Sequence, residues 1–103
     1  DGLALSSRNV YLSPDERAHA PEIRKALLYA QKLAQNGETS VKLLREAVLR
    51  RWAEFLPMGR LDYLSIVHPE SMAPLTEVTG PALMACAVRM GKARLIDNIL
   101  LRP

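Results

Sequence analysis

Apolar residues recur along this chain with two different periods, and the change of period divides it. Ile23, Leu27, Ala30 and Ala34 fall at helical steps, marking one buried face. Asn36-Gly37 tolerates left-handed geometry and ends that helix. Thr39 or Ser40 then caps a second helix, whose apolar stripe is Val41, Leu44, Val48, Trp52 and Phe55, and Pro57 and Gly59 stop it. Ahead of both, Ser13-Pro14-Asp15-Glu16 carries a helix-start signature: Ser13 as N-cap, Pro14 at the first helical position, and Glu16 placed to close a capping box. Pro21 cannot donate to a helical ladder, so the pattern predicts a short turn near 14–19 and a new or kinked helix from about residue 20.

Past residue 60 the pattern turns to β. Leu61-Asp62-Tyr63-Leu64-Ser65-Ile66-Val67 is short, rich in β-formers and closed by His68-Pro69. A loop with Pro74, Thr79, Gly80 and Pro81 follows. Residues 82–89 contain good helix formers, but Pro81 before them and Met90-Gly91-Lys92 after them leave only about eight residues. A tight turn joining them to the apolar run Arg94–Leu100 predicts an antiparallel hairpin instead. The expected fold is α+β: a small three-stranded antiparallel sheet with two main helices packed on one face.

Composition narrows the class without choosing a function. The chain has 103 residues, enough for one domain, and 49% hydrophobic against 24% charged residues is ordinary for a globular protein. No apolar run approaches the ~18 residues a transmembrane helix needs, so no membrane partner is expected. Cys86, flanked by Ala85, Ala87 and Val88, reads as a small buried hydrophobe and excludes an internal disulfide. A lone thiol of this kind fits a reducing, cytoplasmic setting. The net charge of +3 suits a phosphate-bearing ligand and falls short of a nucleic-acid footprint.

The densest polar chemistry lies at the start, in Ser6-Ser7-Arg8-Asn9. Two hydroxyls beside a guanidinium form a donor set suited to phosphate or carboxylate oxygens. Taken bare, the same residues also fit a turn that bonds its own backbone. The absence of an initial methionine fits a piece of a longer protein.

Three separated blocks carry a resemblance. Asp1-Gly2-Leu3-Ala4-Leu5-Ser6-Ser7-Arg8-Asn9 with Tyr11-Leu12-Ser13, then Asp62-Tyr63-Leu64-Ser65-Ile66-Val67, then Gly91-Lys92-Ala93-Arg94-Leu95-Ile96-Asp97-Asn98-Ile99, resemble in order the C-terminal domain of the pantoate–β-alanine ligase family. The likeness covers the whole chain. It implies an ATP-dependent, AMP-forming enzyme of pantothenate biosynthesis that works through pantoyl adenylate. Residues 1–12 would be an interdomain, ATP-facing loop and 13–103 the C-terminal lid domain, with a Rossmann-like N-terminal domain outside this chain. The family's Met-Ser-Ser-Arg-Asn segment corresponds to the mobile Lys-Met-Ser-Lys-Ser loop of class I aminoacyl-tRNA synthetases. Carried over, Ser6 and Ser7 would bond the triphosphate and Arg8 would be the catalytic residue, offsetting charge as pyrophosphate departs. Leu5 stands where the family usually has Met, leaving a backbone contact to the adenine side. The resemblance further implies Mg2+ with ligands outside this chain, pantoate and β-alanine as co-substrates, a homodimer formed through the absent domain, and no activity from this piece alone.

Other polar residues read more plainly. His19 and His68 have no second ligand at metal spacing, and no metal site is expected. Lys92 and Arg94 flank the hairpin turn, either solvated or close to a catalytic cleft. Asp62 and Asp97 are candidates to pair with Arg60 or Arg94. Arg45, Arg50 and Arg51 read as a solvated helix face. The alternative function is a small nucleic-acid-binding module using Arg45, Arg50, Arg51, Arg89, Lys92 and Arg94. Only 5% of residues are aromatic and none is interleaved with that set, so base stacking has little support. A purely structural domain would leave Ser6-Ser7-Arg8 without a role.

Overall fold

Residues 12–103 are described by the computed structural model. The chain forms α1 (Pro14–His19), α2 (Glu22–Gln35), α3 (Val41–Phe55), β1 (Arg60–Val67), β2 (Ala82–Met90) and β3 (Ala93–Leu101). The capping box forms as its spacing requires. The Ser13 amide donates to Glu16 Oε1 at 2.8 Å, and the Glu16 amide donates to Ser13 Oγ at 3.1 Å. Pro21 separates α1 from α2, and the second helix begins at Glu22. Asn36-Gly37 closes it with Gly37 at φ 107°, a conformation open to glycine and strained for other residues. The Ser40 hydroxyl accepts from the Leu43 amide at 3.3 Å and starts α3.

The strands form one antiparallel sheet in the order β1-β2-β3. Residues 82–89 are strand, as the bracketing turns predicted. Met90 pairs with Ala93, so Gly91-Lys92 is a two-residue turn. Gly91 takes φ 59° and Lys92 stays at negative φ, matching the II′ hairpin turn with glycine first. Alternation then sorts side chains by face: Ala82, Met84, Cys86, Val88 and Met90 are all buried toward the helices.

α2 and α3 pack on that face, α2 over β3 and α3 beside β1. The predicted α2 stripe, Ile23, Leu27, Ala30 and Ala34, is wholly buried, as are Val41, Leu44, Val48 and Trp52 of α3. Full burial of a side chain such as Leu27 or Leu44 contributes roughly 1.5–3 kcal/mol. Phe55 departs from the expected stripe. It lies in the last turn of α3, 40% exposed, and its ring stacks on the Arg51 guanidinium at 4.9 Å. Polar links tie the layers. Arg24 Nη1 donates to Asp97 Oδ1 at 2.9 Å, Gln31 Nε2 to the Leu100 carbonyl at 3.0 Å, and Arg45 Nε to the Leu64 carbonyl at 2.9 Å. The β1–β2 connection crosses the start of α3, where the Val78 amide donates to the Thr39 carbonyl at 2.7 Å and the Val78 side chain is fully buried.

Candidate functional site

Leu5, Ser6, Ser7 and Arg8, the candidate ATP-binding and catalytic residues, lie outside the described residues. So does the expected loop 1–12 except for Leu12, which packs against the hydrophobic core. Among the described residues, charged side chains gather where α1 meets the end of the sheet. Glu16, Met58, Arg60, Arg89 and Gly91 line a cleft of about 390 Å³. The capping box fixes Glu16 there, and its carboxylate lies against Gly91 so closely that a Cβ at that position would collide with it.

Register builds the rest. Arg60 of β1 is directly opposite Arg89 of β2, and Arg89 is directly opposite Arg94 of β3. Directly opposed residues of an antiparallel pair share a face, with Cβ atoms about 4.5–5.5 Å apart. The three arginines therefore form a row on the face turned away from α2 and α3. The β1–β2 register shifts between Leu61 and Tyr63, so Asp62 is the extra residue of a bulge. Its carboxylate accepts from Arg94 Nε at 2.6 Å and lies 3.9 Å from Arg89 Nη2. The Arg94 hydrogen bond holds the Asp62 carboxyl below its ordinary pKa; partial desolvation opposes this, and the positive charges of Arg94 and Arg89 assist it. Arg94 also lies 5.9 Å from the centroid of the Tyr63 ring.

Asp97, expected to pair with Arg60 or Arg94, is instead on the helix side, bonded to Arg24. Strand alternation explains the difference, since positions 94 and 97 face opposite ways. Lys92 is exposed at the turn. Cys86 is buried opposite Asp97. Burial pushes its thiol up to about 12; a hydrogen bond with the Asp97 backbone pulls down, and the Asp97 charge adds to the rise. Such a thiol is a poor nucleophile. His68 Nδ1 accepts from the Glu70 and Ser71 amides at 3.2 and 3.3 Å and organises a turn, while His19 Nδ1 lies 2.8 Å from the Asp15 carbonyl oxygen. Among the described residues, no group of three or more His, Cys, Asp or Glu is placed to hold a metal.

Of the α3 arginines, Arg50 is exposed as expected, while Arg45 and Arg51 are less solvated. Arg45 is tied to β1 as above. Arg51 lies between the Tyr29 and Phe55 rings, at 5.8 and 4.9 Å, with its Nε buried and without a hydrogen-bond partner. The Arg60–Arg89–Arg94 row was not anticipated. The residues were visible in the sequence, but a bulge at Asp62 decides which of them meet.

The likenesses to known proteins agree with one another. A family model described as pantoate-beta-alanine ligase matches residues 1–100. The pantothenate synthetase of Desulfovibrio desulfuricans is 83% identical over 101 residues, and that of Fervidobacterium nodosum 43% over 103 residues. Among solved structures, a crystal structure of pantothenate synthetase from Thermus thermophilus superposes with a TM-score of 0.90 at 44% identity, covering 99% of this chain. This chain spans about 36% of the length of the first relative and of that crystallised protein. With the fold and nearly the whole sequence accounted for, the chain belongs to the pantoate–β-alanine ligase family.

Proposed function

We propose that this chain is the C-terminal, nucleotide-facing lid of an ATP-dependent, AMP-forming ligase that joins pantoate to β-alanine. The observation that carries the reading is the family match over residues 1–100, which includes Ser6-Ser7-Arg8 and spans about a third of its relatives. The remaining two-thirds would supply the Rossmann-like nucleotide cradle, the pantoate pocket and the dimer contact. The enzyme would work in the cytoplasm.

In this reading a pantoate carboxylate oxygen attacks the α-phosphorus of ATP, and pyrophosphate leaves. The β-alanine amine then attacks the acyl carbon of pantoyl adenylate; AMP departs, the nitrogen loses a proton and pantothenate forms. Ser6 and Ser7 donate hydrogen bonds to triphosphate oxygens, and the Leu5 backbone meets the adenine side. Arg8 places its guanidinium where negative charge gathers on departing pyrophosphate, lowering the barrier more than it tightens ground-state binding. Mg2+ would neutralise phosphate charge when bound, and the described residues offer no ligand set for it. Closing a loop over the nucleotide also excludes water from a hydrolysable adenylate.

Arg8→Ala in the full-length enzyme tests this. Adenylate formation should fall by about 10²–10³, the usual effect of losing one preorganised donor. Unchanged turnover would remove Arg8 from the mechanism. A nucleic-acid module is not favoured. Arg50 and Arg51 sit on α3 in the helical layer, whereas Arg89 and Arg94 point from the opposite face of the sheet, so the basic residues make no single stripe.

A further inference from the structure

We infer that Arg60 and Arg89 form a binding site for a small phosphate anion, of the orthophosphate or pyrophosphate class, at the mouth of the cleft beside Gly91. Like charges directly opposite one another on a sheet are destabilising, yet this sheet places arginines opposite each other twice in one row. The row has one internal counter-charge, and its geometry assigns it unequally. Asp62 bonds Arg94 at 2.6 Å and reaches Arg89 only at 3.9 Å. Arg94 is thereby held by Asp62 and by the Tyr63 ring. Arg60 has no ion pair or hydrogen bond within the described residues, and Arg89 keeps most of its donors open, with its side chain 61% exposed.

Glu16 is the acidic group facing the same cleft. One of its oxygens already accepts from the Ser13 amide, and the carboxylate is braced against the hairpin turn. Lys92 on that turn adds a further positive charge. The row and its turn therefore keep an excess of positive charge that the fold does not neutralise. Two guanidinium forks about 5 Å apart at their Cβ atoms match a phosphoryl group, which can accept a pair of hydrogen bonds from each. A carboxylate has one oxygen fewer and less charge, so phosphate is the better-matched class. These two arginines would act whether or not the ligase reading holds, and a direct anion titration needs neither adenylate nor pantothenate.

Pyrophosphate and, separately, inorganic phosphate are titrated into this chain and followed by two-dimensional amide NMR, with sodium chloride at matched ionic strength as control. The expected result is saturable movement of the Arg60, Arg89 and Gly91 resonances by both anions and not by chloride. Arg60→Gln should weaken the apparent affinity about tenfold, and Arg50→Gln on the helical layer should leave it unchanged. Arg60 is exposed, and the variant's own spectrum verifies its fold. Equal movement with chloride, or undiminished affinity in Arg60→Gln, would overturn the site. A single-stranded oligonucleotide that displaces pyrophosphate and binds the same residues more tightly would overturn the assignment to small anions.

Discussion

At the scale of single residues, charge placement does more here than charge count. Asp62 is the pivot, because its position in a bulge lets one carboxylate face two strands. Its lowered pKa is a statement about stability. A folded carboxyl held below the unfolded value of about 3.8 contributes in full above that value and loses its contribution as pH falls through the folded value. Asp62→Asn should therefore be less stable than the parent at pH 6, and the gap should narrow as pH falls below about 3.8 and the parent's carboxyl takes up a proton. Urea unfolding at a series of pH values measures this. A gap that stays constant with pH would mean that Asp62 acts through shape, not charge.

At the scale of elements, the β2–β3 hairpin joins the sheet to α1 through Gly91. Positive φ there disfavours a side chain, and a Cβ would also have to displace the nearby Glu16 carboxylate. Gly91→Ala should lower stability by about 1–2 kcal/mol from backbone strain, with an added penalty from the collision. In a Glu16→Ala background that added part should vanish, so the two substitutions together should cost less than their sum. Equal penalties in both backgrounds would show that Glu16 and Gly91 do not press on one another. Much of this level was legible beforehand. Ser13 and Glu16 fixed the first cap, the α2 stripe lacked only the buried Ala26, and Pro81 with Gly91 identified 82–89 as strand against its helical composition. Phe55 departs from the stripe because the apolar residue buried at that end of α3 is its neighbour Leu56, while Phe55 stays exposed against Arg51. Val78 escaped notice since a single apolar residue in a loop has no period. Arg24–Asp97 depended on which helix covers β3, which local pattern does not encode, and the Arg60–Arg89 pairing depended on a register that the bulge at Asp62 shifts. For Leu5, Ser6, Ser7 and Arg8 the information came from a family motif, as short polar segments carry no periodic signal.

At the scale of the whole molecule, the two faces of the sheet have different work. One is closed by α2 and α3 over a continuous core, so the chain has the buried apolar surface an independent domain requires. The other face presents Arg60, Arg89 and Arg94 at one end and exposed Tyr63 and Ile96 beyond them. Under the proposed function, self-sufficiency in folding would not extend to catalysis. Pantothenate synthesis needs a carboxylate aligned on the α-phosphorus and then an amine aligned on the acyl carbon, and holding reactants in place supplies a large share of an enzymatic rate. In the proposed reading, a donor segment such as Ser6-Ser7-Arg8 would account for about 10²–10³ of an acceleration that typically exceeds about 10⁶. The purified chain should therefore unfold cooperatively in urea yet release no pyrophosphate and form no pantothenate from ATP, pantoate and β-alanine, whereas the full-length polypeptide should do both. Pantothenate made by the isolated chain would place the nucleotide and pantoate sites within these 103 residues and sink the two-domain reading.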